Sequence, residues 1–332
     1  MIMSQELIGI EFNSGTSLLV TGGAGFIGSD FVKMIDKSSL FKRIYIVDKL
    51  TYASDVRRLD GVTGNVELIQ SCISDVTKYK SALSDCDFVV NFAAESHVDR
   101  SISSGLEFIE SNIVGTYKLL EACRGLPNIS LLHVSTDEVY GSLSYGEADE
   151  NSPIRPSSIY SASKATSDLL VLANFKTHSQ RVCVTRCSNN YGPYQNSEKF
   201  IPRSINQLLQ GENILLYGDG QNQREWIYVT DHNQALLSIL ARFQAGEVFN
   251  IGSRLRISNF DLAMMILNEL GLPQERIDFI EDRKGHDFRY ALDSRKLMDS
   301  LNWKCSTPFD VGIAKTVDWY RNWYQVNKEV YV

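Results

Sequence analysis

Thr21-Gly22-Gly23-Ala24-Gly25-Phe26-Ile27-Gly28 follows the apolar run Ser17-Leu18-Leu19-Val20 and opens an amphipathic segment. A glycine-rich turn in that setting admits few folds. Gly22 permits a tight strand-to-helix turn, Gly25 lets a pyrophosphate approach the backbone, and Gly28 allows close contact between helix and strand. The helix then offers free N–H groups and the positive end of its dipole to the phosphates. A second apolar run, Ile44-Tyr45-Ile46-Val47, ends in Asp48. A carboxylate there reaches an adenosine ribose and repels a 2′-phosphate, so NAD rather than NADP is the expected cofactor.

Phe88-Val89-Val90, Leu131-Leu132-His133-Val134 and Val182-Cys183-Val184-Thr185 read as further buried strands. Helical patterns over Ile27–Ile35 and Leu106–Cys123 lie between them. Apolar, non-alternating strands separated by helices predict an α/β chain with a doubly wound parallel Rossmann sheet. From Asn189 onward the turns are rich in Gly, Asn and Pro, and shorter helices such as Asn259–Leu270 follow. This predicts a smaller, interwoven α/β substrate domain. The NAD-binding domain is expected over residues 1–188, with 226–252 returning to it, and the substrate domain over 189–225 and 253–332. Residues 1–15 match no motif and read as a disordered extension or an edge strand.

Composition excludes some partners. The 332 residues carry 33 Lys+Arg against 40 Asp+Glu, a net charge of -7, with no long run of either sign. Nucleic acid and anionic membrane both demand a basic face, so neither is expected. No apolar run approaches the roughly 20 residues of a membrane span, and no signal-peptide pattern opens the chain. Six cysteines are scattered without metal spacing. Buried free thiols, a reducing cytoplasmic location and no bound metal are therefore expected.

The chemistry concentrates in Ser135-Thr136-Asp137-Glu138-Val139-Tyr140-Gly141 and Tyr160-Ser161-Ala162-Ser163-Lys164. Tyr160 and Lys164 are i and i+4, on one helix face. An ammonium beside a phenol favours the phenolate, which makes a base for an alcohol proton while hydride leaves the same carbon. Two adjacent carboxyls whose environments push their pKa values apart can serve as acid and base.

Gly22-x-x-Gly25-x-x-Gly28 with Tyr160-x-x-x-Lys164 resembles the extended short-chain dehydrogenase/reductase superfamily. The resemblance narrows to the dTDP-glucose 4,6-dehydratase family on five further blocks. These are Asp48-Lys49-Leu50-Thr51-Tyr52-Ala53, Ala93-Ala94-Glu95-Ser96-His97-Val98-Asp99-Arg100-Ser101, Ser135-Thr136-Asp137-Glu138, Ser188-Asn189-Asn190-Tyr191-Gly192-Pro193-Tyr194 and Gly285-His286-Asp287. It implies C4 oxidation of the hexose, elimination of water across C5 and C6, and hydride return to C6. It implies Glu138 as the C5 base, Asp137 as the acid for the C6 hydroxyl, and Thr136 with Tyr160 at the C4 oxygen. Lys164 would bind the nicotinamide ribose and keep Tyr160 acidic. The implied NAD contacts are Gly22, Gly25, Phe26, Ile27, Gly28, Asp48, Lys49, Thr51, Asp75, Val76, Ala93, Ala94, Ser96, Tyr160, Lys164 and Asn189.

On the substrate side the resemblance implies Asn189 and Arg224 near the diphosphate, and Asn259 and His286 toward the nucleoside. Glu198 and Lys199 fall near the sugar, with Ser96 and His97 beside them. Three positions depart from the family pattern. Cys72 replaces an adenine-contacting Asp, and Arg186 and Phe288 stand near the expected substrate side. UDP-glucose is thus an alternative substrate, since the two bases differ by one methyl, worth only about 1–3 kcal/mol. A sugar-nucleotide 4-epimerase or decarboxylase would need Tyr160 and Lys164 but not Asp137 and Glu138. An NAD-binding sensor would need neither pair. A homodimer is expected, with Leu106–Cys123 and Tyr160–Phe175 forming a four-helix interface.

Overall fold

The computed structural model describes residues 12, 15–282 and 285–326. Of the stretch 1–15, read as an extension or edge strand, all but Phe12 and Gly15 lies outside the described residues. Six strands come first: β1 (Ser17–Thr21), β2 (Arg43–Asp48), β3 (Val66–Gln70), β4 (Phe88–Asn91), β5 (Ser130–Thr136) and β6 (Val182–Cys187). The short β7 (Asn189–Tyr191), β8 (Ile214–Tyr217) and β9 (Gln223–Tyr228) follow, then β10 (Val248–Ile251), β11 (Arg256–Ser258) and β12 (Ile277–Ile280). The longer helices are α1 (Phe26–Ser38), α2 (Thr116–Arg124), α3 (Ile159–His178), α4 (Phe200–Leu209), α5 (Val229–Ala241), α6 (Asn259–Leu270), α7 (Arg295–Leu301) and α8 (Phe309–Val326).

Seven strands form one sheet in the order β10-β6-β5-β4-β1-β2-β3, every neighbouring pair parallel. This is the doubly wound Rossmann arrangement expected of unbroken apolar strands, which need cover on both faces. Phe31, Val32 and Ile35 of α1 and Leu236 and Leu240 of α5 cover one face. Leu119, Leu120 and Cys123 of α2 and Val171 of α3 cover the other. From β1 the chain winds outward through β2 and β3, then crosses back to β4 on the opposite side of β1. That reversal opens a crevice at the carboxyl ends of β1 and β4, where open α/β sheets hold their ligands.

A second layer carries a three-stranded sheet, β11-β9-β7, and the pair β12-β8. Its core gathers Ile201, Ile205, Leu262, Ile266, Ile313 and Val317. The strand β9 pairs within this layer, so Trp226–Tyr228 lie here although the sequence division returns them to the first domain. Conversely, Leu297, Leu301 and Trp303 join the core of the large sheet. Their spacing marks an amphipathic helix but carries no sign of which core it faces.

Two local features aim the site. Ser158 and Ser161 form a reciprocal cap at the start of α3, each hydroxyl accepting the other's backbone N–H at 3.0–3.1 Å. This fixes the turn that carries Tyr160. The helix expected over Leu106–Cys123 forms, but Ile109–Gly115 within it winds as a π-helix. Asn112 there donates to the Glu95 carbonyl (3.0 Å) and to Ser163 Oγ (2.8 Å) and accepts from the Glu95 N–H (2.8 Å). It ties the loop after β4 to the helix of Tyr160 and Lys164. A π turn at such a place is usual near functional sites.

Candidate active site

The crevice is a cavity of about 960 Å³ lined from both layers. Gly22, Gly25, Phe26, Ile27 and Gly28 line one end with Asp48, Lys49 and Thr51. A Cβ on Gly28 would come within 2.4 Å of the Gly22 carbonyl oxygen, and one on Gly22 within 2.8 Å of the Ala93 nitrogen. The turn is therefore closed to any side chain, leaving its backbone open to a phosphate. Asp48 is buried and accepts from the N–H groups of Ala24 (2.9 Å) and Leu50 (2.8 Å) and from Ser54 Oγ (2.7 Å). One carboxylate thereby sets both the glycine turn and the loop after β2. This cradle, with an anion at the ribose position, fits NAD.

Ala93, Ala94 and Ser96 line the same cavity, as does Asn189. Asp75 and Val76 do not: Asp75 faces out, bonded to Thr77 and Lys78. Cys72, Ile73 and Ser74 line the wall in their place, with Cys72 Sγ 3.1 Å from Ser74 Oγ. The π-helical segment adds Glu110, Ser111 and Val114, and Lys118 follows on α2. These were missed in the sequence, although 111, 114 and 118 share one helical face.

Toward the middle of the cavity stand Thr136 and Glu138 at the end of β5, and Tyr160 and Lys164 on α3. Asp137 lies just behind, 2% exposed, accepting from Thr136 Oγ1 at 3.2 Å. Its other oxygen has no hydrogen-bond partner. Burial, then the neighbouring Glu138 and Glu225, push the Asp137 carboxyl well above the usual range. A shift in that direction favours the proton-donating form of the carboxyl. The two carboxyls thus stand in different surroundings, one sealed and the other lining the cavity.

The expected partnership of Tyr160 and Lys164 is not found in the form the spacing suggests. The Lys164 ammonium donates to the Val134 carbonyl at 2.7 Å. Burial, then the Glu138 charge, push the Tyr160 phenol well above its ordinary value instead of lowering it. The physical reason is depth: both groups are fully buried, and burial alone brings Lys164 down to about 8 against the pull of Asp168.

Across the mouth, Lys199 Nζ reaches from the second layer to the Ser96 carbonyl at 2.6 Å. His97 accepts from the Arg100 N–H at 3.3 Å and lies 3.8 Å from Glu198, outside the cavity lining. Glu198 instead lines an adjoining cavity of about 680 Å³ with Tyr52, Tyr194 and Trp319. Arg224 is buried, donating to the Asp287 carbonyl (2.8 Å) and lying 4.4 Å over the Tyr290 ring. It is near enough to Asp137 to oppose its raised pKa. Asn259 begins α6, and His286 pairs with Asp282 at 2.6 Å. Neither lines the cavity. Arg186 is buried in a pair with Asp168, and Phe288 is 53% exposed, so both departures fall outside the cavity lining, contrary to expectation.

The family model for GDP-mannose 4,6 dehydratase matches residues 19–316. A dTDP-glucose 4,6-dehydratase of Mycolicibacterium smegmatis is 43% identical over 319 residues, covering 94% of this chain and 96% of that protein. The solved dTDP-glucose 4,6-dehydratase of Streptomyces venezuelae, with NAD bound, superposes with a TM-score of 0.91 at 41% identity, covering 94% of this chain and 98% of that one. A UDP-glucose 4-epimerase of Thermus thermophilus in complex with NAD superposes at 0.84 with 28% identity, covering 92% and 99%.

Proposed function

The chain belongs to the GDP-mannose 4,6-dehydratase family, and from that premise we propose that it is an NAD-dependent dTDP-glucose 4,6-dehydratase, a hydro-lyase giving dTDP-4-keto-6-deoxyglucose. The observation that carries the reading is the carboxyl pair at the end of β5, with Asp137 buried behind cavity-lining Glu138. An epimerase has no step that uses such a pair. Bound NAD supplies the hydride acceptor at sugar C4 and the donor to C6.

The remaining steps fall to this chain's own groups. Tyr160, with Thr136 beside it, acts on the C4 hydroxyl. Once C4 is a ketone the C5 hydrogen is acidic, and Glu138 removes it. Asp137 gives its proton to the C6 hydroxyl as water leaves, and a proton returns to C5 at the end. Lys164 adds positive charge beneath Tyr160. Gly22, Gly25, Gly28 and Asp48 would hold the cofactor, with Cys72, Ile73 and Ser74 against the adenine in place of Asp75 and Val76. Asn189, Lys199 and Arg224 would face the nucleotide sugar.

The products of parallel incubations with dTDP-glucose and UDP-glucose test this reading. Loss of water by mass spectrometry, with a 4-keto chromophore in alkali, is the expected outcome, larger with dTDP-glucose. Unchanged mass with an isomerised sugar would make the chain an epimerase. We also assign it a cytoplasmic location and a homodimeric state. We further propose a two-domain division with Trp226–Tyr228 in the substrate part and Arg295–Trp303 in the NAD part.

A further inference from the structure

Behind Lys164, away from the cavity, lies a buried ion pair that the reaction does not use. Asp168 is one turn on from Lys164 along α3 and is 0% exposed. Its Oδ2 accepts from Arg186 Nε at 2.9 Å, while its Oδ1 lies 3.7 Å from His133 Nε2, and the Ser135 hydroxyl stands close enough to favour the charged form. Arg186, on β6, is locked in turn. It donates to Tyr140 OH at 2.8 Å and lies 5.0 Å over that ring, and Tyr140 donates to Asn250 Oδ1 at 2.8 Å.

The state of His133 follows from its neighbours. The Ala93 N–H donates to Thr21 Oγ1 (3.3 Å), so that hydroxyl donates to Asn91 Oδ1 (2.6 Å). Asn91 then offers its amide N–H to His133 Nδ1 (3.0 Å), which leaves the imidazole proton on Nε2, toward Ser167 Oγ (3.1 Å). His133 is therefore neutral, and burial holds it so. The other titratable groups facing Lys164 carry no charge near neutral pH either. Burial pushes Cys187, at the end of β6, up to about 12, and raises Tyr160 well above its usual range. Asp168 is left as the balancing anion. Burial pushes its carboxyl up, and Arg186, followed by the Ser135 hydroxyl, opposes this and favours the charged form.

We propose that Arg186 is a positioning residue for the dehydratase reaction: it fixes Asp168 as the buried anion that keeps the Lys164 ammonium charged and in place. The inference rests on the role read above for Lys164. A lone buried carboxylate would neutralise itself. Clamped by a guanidinium on one oxygen, it stays ionised and leaves the other oxygen toward His133, whose Nε2 lies 3.5 Å from the Lys164 Nζ.

The test is kcat/KM for dTDP-glucose against pH, measured on NAD-loaded protein. Asp168→Asn keeps the shape and removes the charge. Its alkaline limb should move to lower pH, and a shift of one unit lowers the rate above both limbs about tenfold. Arg186→Met should move the limb the same way, and Arg186→Lys should restore part of it. The double variant should lose no more than Asp168→Asn alone, because the arginine acts through the carboxylate. An unmoved limb in Asp168→Asn, or losses that multiply in the double variant, overturns the proposal. Should Arg186→Met fail to fold, Asp168→Asn alone decides. Lys164→Met separates the two readings. Wild-type turnover in it removes the role given to Lys164, whereas lost turnover beside an unmoved Asp168→Asn limb removes the clamp only.

Discussion

Asp137 and Glu138 are adjacent in the chain yet differ in surroundings, one sealed at 2% exposure and the other lining the cavity. That difference sets two experiments. Replacing Glu138 by Gln should leave C4 oxidation running, seen as a build-up of reduced cofactor absorbance, and slow elimination by about 10²–10⁴-fold. Tyr160→Phe should instead block before any reduced cofactor forms. If both variants stall at the same stage, the division of roles is wrong. Asp137 also links activity to pH and stability. Its folded pKa is raised, so any stability it contributes is fully present below its unfolded pKa and is lost as pH rises through the folded value. At neutral pH it is a liability. Asp137→Asn should therefore raise the melting temperature near pH 7.5, by about 1–2 °C for each kcal/mol relieved, while dehydration falls about 10²–10⁴-fold. A lower melting temperature would show that the carboxyl is stabilising in the fold. The residue types of this site were legible in the sequence, since motif spacing carries them. What was not legible is depth: nothing in Tyr160-x-x-x-Lys164 says that the lysine turns to the Val134 carbonyl or that Asp168 and Arg186 lie behind it.

Elements position these residues through a few contacts that tolerate no change. Gly28 is the sharpest case, because an added methyl would lie 2.4 Å from the Gly22 oxygen. Gly28→Ala should reduce NAD bound to purified protein while leaving far-UV circular dichroism unchanged; full NAD occupancy would mean that α1 can retreat from β1. Asn112 makes the second such contact, three hydrogen bonds from a π turn to Glu95 and Ser163. Asn112→Ala leaves buried backbone partners unmade and should cost about 1–3 kcal/mol in denaturant unfolding. The five strands read from apolar runs all form, because a doubly covered parallel sheet requires unbroken hydrophobic runs. The edge strand β3 carries no unbroken apolar run, since Val66–Gln70 includes Glu67 and Gln70 and is partly exposed. The π turn was not legible either, since its residues keep an ordinary helical pattern. It is stabilised by Asn112 and by the close fit of Gly115 against Ile73, both set by tertiary neighbours.

At the scale of the whole molecule, the surface opposite the sheet contact of α3 remains apolar. Leu169 is 56% exposed, and Ala173 and Ala162 flank it at one and two turns' spacing respectively on the same face. Alongside run Leu106 (64% exposed), Ile109 (44%) and Tyr117 (47%) from the neighbouring helical segment. Large apolar side chains gathered on two adjacent helices are costly to leave in water. Small residues between them let a second pair of helices approach closely. A two-fold pairing would bury the patch against its own copy, closing the interface. This supports the homodimer inferred from the helical segments Leu106–Cys123 and Tyr160–Phe175. Light scattering at micromolar concentration should give twice the 37.4 kDa chain mass. Leu169→Glu, placing a charge at the centre of the patch, should return the chain to single mass with the cavity residues untouched. Because Tyr160 and Lys164 lie on the opposite face of that helix, the loss of pairing should loosen α3 and lower kcat more than it raises KM. A monomer in the parent protein at the same concentration would leave the apolar face without a partner and end the assignment.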